Sequence, residues 1–413
     1  MRISTSMLFN SSVQTMDNQQ SQLLGLEDEI SSGQAFSTPA DDPVGAAQAV
    51  QLSATYATLN QYSTNQNSAL TSLKTEDTTL GSVTSVLQSI EQLMQKAAGG
   101  TLNSSNLSAV AQQMSSDRDE LLTLANTTDG SGNSIFAGFQ STSEVFSNAP
   151  GGGVTYNGDQ GQRLVQVSTT STVAVGDSGA SVFMSVPSVG TDPVPAGSAI
   201  NTGTGTISPV TVTNSTVSTN SDTYSIVFGT DPTTGDSTYT VTDTTTGTAL
   251  ATDAAYTSGS AIDLGNGMNV TISGTPVSGD TFSVSPPNAS ANSDLFATID
   301  SVIAALQTPT SGDASASANL SNALTTGMTQ LSNSLTNVTT VQASVGGREQ
   351  EIEALQSVTS SNQLQTETTL SNLTSTDMTA AISEYEEVED ALTASQKSFA
   401  STENLSLFQY INP

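Results

Sequence analysis

Apolar residues recur every seven positions through both ends of the chain. Phe9, Met16, Leu23 and Ile30 form the first such row, with Val13 and Leu26 beside it, and predict a helix ending at Ser32 with Gly33 as its left-handed cap. A second row, Leu52, Leu59, Gln66, Leu73, Leu80, Leu87 and Met94, runs with Tyr62, Ala69, Val83 and Ile90 alongside. It predicts one long coiled-coil-like helix that Gly99-Gly100 stops. A third helix is expected over about 104–126, where Met114, Leu121 and Leu122 lie on one side. Near the other end, Leu324, Leu331, Val338, Val345 and Ile352 repeat the spacing, with Met328 and Leu335 between them. In the last helix Tyr385, Leu392 and Phe399 make one row and Ala381, Val388 and Ser395 the next. Each stripe is narrow for a globular core. Two readings follow: the helices close on one another as an antiparallel bundle, or the terminal ones are completed by other chains.

Between the helical ends the period changes to two. Tyr224, Ile226 and Phe228 alternate with small polar residues, as do Tyr239 and Val241, Met268, Val270 and Ile272, and Phe282 with Val284. Glycine-containing turns separate these runs, so residues 195–290 are expected to form a small antiparallel sandwich or barrel. Asp222-Thr223-Tyr224-Ser225-Ile226 resembles Asp280-Thr281-Phe282-Ser283-Val284, two similar strand starts. Upstream, VTYNGDQGQRLVQV predicts a hairpin around Asn157-Gly158. The fold class is therefore α+β and multidomain, with outer antiparallel β domains inserted between N- and C-terminal heptad helices paired into a coiled-coil or helical bundle.

Composition narrows the function. Among 413 residues, 38 acidic side chains face 7 basic ones and there is no histidine, for a net charge of -31. Nucleic-acid backbones and anionic membrane surfaces repel such a chain, so neither is an expected partner. Charged residues are only 11% of the total, against about 25% in typical domains. Ser, Thr, Asn and Gln must therefore supply most of the polar surface. Without cysteine, disulfides and thiolate chemistry are excluded. No stretch reaches the roughly 18 continuous apolar residues of a membrane span, and the opening MRISTSMLFNSSVQTMDNQQ has no Sec-type apolar core.

Candidate chemistry is sparse. Asp41 and Asp42 stand between Pro39 and Pro43, and a structural role explains them: Asp42 at a helix N-cap and Pro43 at the first helical position. Glu384, Glu386, Glu387, Glu389 and Asp390 are dense, but on a helix they spread over the side opposite Tyr385, Val388 and Leu392. DPTTGDSTY lacks the alternating ligands and terminal Glu of an EF-hand and reads as a polar turn. No catalytic residue, cofactor or metal site is expected.

Six stretches then carry a resemblance: MRISTSM, ISSGQAFSTPADDPVGAA, RDELLTLANTTDGSGNSIFAG, VTYNGDQGQR, ASVGGREQEIE with the end SLFQYINP, in order along the chain. Together they resemble the flagellin superfamily, and within it the hook-associated proteins of the hook-filament junction. Asp41-Asp42-Pro43-Val44-Gly45 and Ser406-Leu407-Phe408-Gln409-Tyr410-Ile411 favour that branch over flagellin itself, whose turn usually continues DDAAG and whose end is leucine-rich. Asn133-Ser134-Ile135-Phe136, where an aromatic often precedes the Ile-Phe pair, and the 195–290 module are departures. The resemblance implies an inner coiled-coil domain from 1–40 and 375–413. It further implies a helical bundle domain from 41–138 and 291–374, a hairpin-rich domain at 139–194 and an outer insertion at 195–290. It also implies a homo-oligomeric ring between the preceding hook-associated protein and flagellin, exported by the flagellar type III route to the cell exterior. A flagellar export chaperone would bind the C-terminal region, with Tyr385, Val388, Leu392 and Phe399 as candidate contacts. Phe9, Met16, Leu23 and Ile30 with those four form the candidate inter-subunit seam, and Gly33, Asp42 and Pro43 the structural turn and cap. A flagellin-type filament subunit, a secreted adhesin and a secreted carbohydrate-active enzyme remain alternatives at this point.

Overall fold

A computed structural model describes residues 5–140, 144–213 and 221–404. The first four residues of MRISTSM and the SLFQYINP end lie outside the described residues. Seven helices and thirteen strands are formed among those described. They are α1 (Thr5–Ser32), α2 (Pro43–Ala98), α3 (Ser104–Ala125), β1 (Phe146–Asn148), β2 (Val154–Tyr156), β3 (Leu164–Gln166), β4 (Thr172–Ala174) and α4 (Gly179–Phe183). There follow β5 (Val194–Gly197), β6 (Thr206–Ile207), β7 (Thr211–Val212), β8 (Tyr224–Thr230), β9 (Ser237–Asp243), β10 (Thr248–Ala255), β11 (Ala261–Asp263), β12 (Met268–Ser273) and β13 (Thr281–Ser285). The chain ends in α5 (Leu295–Gln307), α6 (Ala314–Thr374) and α7 (Met378–Asn404). The α+β class and the helix-bracketed β middle are as the periodicity predicts.

Two compact units result. One comprises residues 1–64 and 355–413, the other 65–354, so α2 and α6 contribute residues to both. In the 65–354 unit the heptad rows are sealed. Leu73, Leu80, Leu87 and Met94 of α2 are buried, as are Leu324, Leu331, Val338, Val345 and Ile352 of α6. Fully burying a side chain of this size is worth about 1.5–3 kcal/mol. These rows therefore form a stable spine.

Phe136, Phe146, Phe183 and Phe296 cluster beside that spine; Phe183 meets Phe136 and Phe146 edge-on, with ring centres 5.3 and 5.4 Å apart. Arg118 of α3 is buried there, 5.6 Å over the Phe296 ring. Its Nε and Nη2 each donate to a different oxygen of the Asp300 carboxylate at 3.0 Å, and Nη2 also donates to the Gly153 carbonyl at 3.2 Å. This bidentate pair is the arrangement that lets a guanidinium be buried.

Neutral amides do the comparable work along α6. Asn322 Nδ2 donates to the Gly205 carbonyl at 3.0 Å while its Oδ1 accepts from Ile207 N at 2.8 Å. Asn333 pairs in the same two-way manner with the backbone of Asp192, and Asn337 donates to the Ser181 and Val182 carbonyls. Connecting segments and the short elements β6 and α4 thus have peptide groups satisfied by side chains.

The 195–290 region is two antiparallel sheets over one core. The first has the order β10-β9-β8-β13-β5; the second has β11-β12-β6, with β7 also pairing β12. Tyr224, Ile226 and Phe228 face Met268, Val270 and Ile272 in a shared apolar cluster. The two similar strand starts are neighbours: β8 and β13 pair with Tyr224 opposite Val284 and Ile226 opposite Phe282. The hairpin expected around Asn157-Gly158 is not formed there. β1 instead pairs β2, and β3 pairs β4, so the reversals fall at 149–153 and 167–171. The reason is Asp159, whose Oδ1 accepts from Phe139 N at 3.0 Å and Gly161 N at 2.8 Å and turns the chain away from a two-residue loop. DPTTGDSTY is the β8–β9 turn, in which Asp231 Oδ1 accepts from Thr233 N at 2.7 Å.

Asp280, just before β13, is more deeply buried than Asp243, the other buried acid described in this module. Its carboxylate accepts from Thr202 N at 2.9 Å, Gly203 N at 3.1 Å and Val277 N at 2.9 Å. Replacing Asp280 with Ala leaves the buried Gly203 N–H and two part-buried donors without their partner and should lower stability by about 2 kcal/mol. Asp236→Ala, at an exposed turn, should change it by less than about 0.5 kcal/mol. Urea unfolding of the two variants checks this, and similar losses would contradict it.

Candidate assembly interface

In the unit built from residues 1–64 and 355–413, α1 and α7 pack against one another. Their facing rows are those the heptads predict, yet they are only partly covered. Met16, Leu23 and Ile30 on α1, and Tyr385, Leu392 and Phe399 on α7, are half-buried; Leu26, Ala381 and Val388 are buried. Phe9 stays 49% exposed although its ring lies 5.1 Å from that of Phe399. Leu24 is 62% exposed, and Met7, Met378 and Ile382 are also open to solvent. An open cavity of about 510 Å³ lies along the seam, lined by Gln19, Gln22, Glu384 and Val388 among others. The acidic residues Glu384, Glu386, Glu387, Glu389 and Asp390 are all exposed. One of them, Glu384, accepts from Gln22 Nε2 at 3.2 Å. No group of acidic residues able to hold a metal ion occurs among the described residues.

The stripe on α2 changes character along its length. Leu52, Leu59 and Tyr62, in this first unit, are half-buried, whereas Leu73 and those beyond are sealed in the second. Val44, Val50, Val358 and Leu364 add exposed apolar side chains to the same unit. Phe139, Leu164, Val189 and Ile200 are exposed in the 65–354 unit as well, so what distinguishes the first unit is its half-covered heptad rows.

The turn region holds this unit's helix ends in place. Gly33 has φ +69°, the left-handed conformation of a helix C-cap, and its N–H reaches the Glu29 carbonyl at 2.9 Å. Asp42 Oδ1 accepts from Val44 N at 3.0 Å and Gly45 N at 2.9 Å, capping α2, whose first residue is Pro43. Asp41 turns the other way: Oδ2 accepts from Thr38 N at 2.8 Å, which holds its carboxyl below the usual range. Ala35 N donates to the Thr374 carbonyl at 2.8 Å and Thr376 N to the Gly33 carbonyl at 3.1 Å. The α1–α2 and α6–α7 connections are thereby tied together.

Comparison with known proteins follows the same outline. Residues 3–141 match the bacterial flagellin N-terminal helical region. Flagellar hook-associated protein 3 of Salmonella typhimurium is 27% identical over 409 residues, 99% of each chain, and that of Escherichia coli shows the same identity and coverage. Among solved structures, the Xanthomonas campestris FlgL crystal structure is 28% identical with a TM-score of 0.67, over 76% of this chain and 98% of that one. Hook-associated protein-3 from Legionella pneumophila is 27% identical with a TM-score of 0.68, over 78% of this chain and 98% of that one. This chain is similar, from end to end, to flagellar hook-associated protein 3.

Two residues beside these turns have roles that the motif itself does not give, Asp377 before α7 and Gly45 in the first turn of α2. Asp377 Oδ1 accepts from Thr379 N at 3.0 Å and Ala380 N at 3.2 Å and caps α7 as Asp42 caps α2. Its signal is in the sequence, an Asp immediately before Met378 and the last heptad row. Gly45 is required by close approach: a β-carbon there would lie 2.2 Å from Asp42 Oδ2 and 2.8 Å from its Cγ. Asp42→Ala should therefore cost about 1 kcal/mol. Gly45→Ala should cost a similar amount by displacing the same cap, and the double variant no more than the worse single one. Thermal unfolding of the three variants measures this; additive losses would show that Gly45 serves something other than the cap.

Proposed function

We propose that this chain is a structural subunit of the bacterial flagellum, forming the junction between hook and filament. Its likeness to flagellar hook-associated protein 3 over 99% of both chains carries the reading. The partly covered α1 and α7 rows supply a physical reason for it. A chain whose terminal helices leave Phe9, Leu24, Met378 and Ile382 in solvent gains by docking them on neighbours. In this reading copies of the chain form a ring, and the seam of Phe9, Met16, Leu23, Ile30, Tyr385, Val388, Leu392 and Phe399 is completed between subunits. The ring mates with a preceding hook-associated protein on one side and flagellin on the other, and transmits load rather than catalysing a reaction.

Export belongs to the same proposal. The subunit leaves the cell by the flagellar type III route, and a chaperone covers the Tyr385, Val388, Leu392 and Phe399 face before assembly. A chain without cysteine cannot be trapped by disulfides on the way. The domain assignment, inner helices at 1–40 and 375–413, bundle at 41–138 and 291–374, and β parts at 139–194 and 195–290, is the organisation this reading uses.

Leu392→Asp or Phe399→Asp places a charge in the seam and is expected to abolish filament attachment while the purified chain keeps its β-sheet circular dichroism. Leu392→Met and Phe399→Leu, which keep an apolar surface, should retain attachment. Motility and electron microscopy of cells carrying each variant as the sole copy decide. Normal swimming with either Asp variant would overturn the seam assignment. Labelling along the whole filament rather than at its base would move the chain to the filament-subunit class.

A further inference from the structure

Glu76 breaks a pattern. Tyr62, Ala69, Val83 and Ile90 are spaced by seven or multiples of seven, and Glu76 takes the one remaining place in that row. It is 1% exposed. Its Oε1 accepts from Asp177 N at 3.0 Å, and its Oε2 is buried with no hydrogen-bond partner. The Asp177 carboxylate is already engaged, by Arg348 Nη2 on one oxygen and by Gln162 Nε2 at 2.7 Å on the other. Arg348 Nη1 also donates to the Ala174 carbonyl at 3.1 Å. Arg348 pairs with Asp177 and not with Glu76, so an ionised Glu76 has the field of that guanidinium but no cation hydrogen-bonded to it.

We propose that Glu76, Asp177 and Arg348 form a protonation-gated latch joining α2, the segment between β4 and α4, and α6. With Glu76 neutral, the acid sits under the Asp177 peptide and the Arg348–Asp177 pair is undisturbed. With Glu76 ionised, a second anion competes for Arg348 and draws water inward. Water has a route: Glu76 lines a cavity of about 640 Å³ that also meets Arg163, Asp129, Thr71 and Thr75.

The segment of α6 at the latch holds the helix's two adjacent glycines. Gly346 and Gly347 stand directly before Arg348, in the interior of a 61-residue helix, with open space where β-carbons would project. Packing does not require glycine there, and glycine is the poorest helix former after proline. Loss of the Arg348–Asp177 pair therefore loosens α6 at a point of low helix propensity, so that the protonation state of one carboxyl sets the local rigidity of a long helix.

The other charged groups near Glu76 do not reverse this sense. Arg163 and Asp129 line the cavity as one cation and one anion. Lys74 and Glu353 are exposed and 4.0 Å apart, and Asp77 accepts from Gln342; Glu349, next to Arg348 on α6, has a buried Oε1 without a hydrogen-bond partner, and burial, then the Asp77 charge, raises its carboxyl. Burial, and next the Asp177 charge, push Glu76 up to about 7, with Arg348 opposing. Its folded value lies above the unfolded one, so its contribution to stability is greatest below pH 4.5 and is lost as pH rises through 7.

The test is amide exchange and carboxyl NMR on the full-length chain labelled at glutamate Cδ. A resonance titrating near pH 7, absent in Glu76→Gln, is expected. Protection at 345–350, corrected for intrinsic exchange, should fall about tenfold between pH 6 and 8.5 in the wild type and stay flat in Glu76→Gln. The α3 amides at 104–125 serve as an internal reference that does not change. A Glu76 titration below about pH 5.5, or equal pH dependence at 345–350 and α3, overturns the latch. Should Glu76→Gln not fold, the wild-type contrast between 345–350 and α3 alone decides.

Discussion

An apolar stripe that one chain can only half cover is the constraint on which the rest of this structure depends. Along α2 the same seven-residue spacing continues from Leu52 to Met94, yet Leu73, Leu80, Leu87 and Met94 are sealed and Leu52, Leu59 and Tyr62 are not. The difference is in the neighbours available. In the 65–354 unit α2 meets α6 and the segments at 166–167 and 177; in the other unit only long helices with narrow rows surround it. Burial at about 25 cal/mol per Å² cannot stabilise α1 and α7 fully while so much of their apolar area stays in water. Ordering of the chain ends and association with neighbours become one process in the proposed assembly.

A charge-poor chain must satisfy its backbone by other means, and two devices recur. Asparagines on α6 hold connecting segments and the short α4 by their peptide groups, as Asn322, Asn333 and Asn337 do. Aspartates cap backbones: Asp42, Asp294, Asp313 and Asp377 accept from the first N–H groups of α2, α5, α6 and α7. Four of the 38 acidic residues thus have a use as helix caps. The few cations are spent singly, Arg118 and Arg348 each inside a buried cluster, so that the loss of one has no substitute nearby.

Regular spacing and local caps made the helices legible in the sequence. Gly33, Asp42 and Pro43 act on residues within four positions, and a heptad row exposes its own face. The β8–β13 kinship was visible as a repeated five-residue start, though not that the two strands are partners. What could not be read was set by long-range contact. Glu76 meets Asp177 across 101 residues, Arg348 meets Asp177 across 171 and Arg118 meets Asp300 across 182. The misplaced hairpin has the same origin: Asn157-Gly158 is a good turn dipeptide, but Asp159 is committed to Phe139, twenty positions away. Glu76 itself left a trace, a lone acid in an apolar row, which marks where a sequence rule fails for a reason.

Hydrogen exchange on the dilute monomer, compared with the same chain in intact flagella, tests the incomplete seam most directly. The account predicts that amides of α1 and α7 exchange fast in the monomer, while those at 73–94 and 324–352 are protected, and that assembly slows α1 and α7 by orders of magnitude. Strong protection of α1 and α7 in the dilute monomer, equal to that of the 65–354 spine, would contradict it.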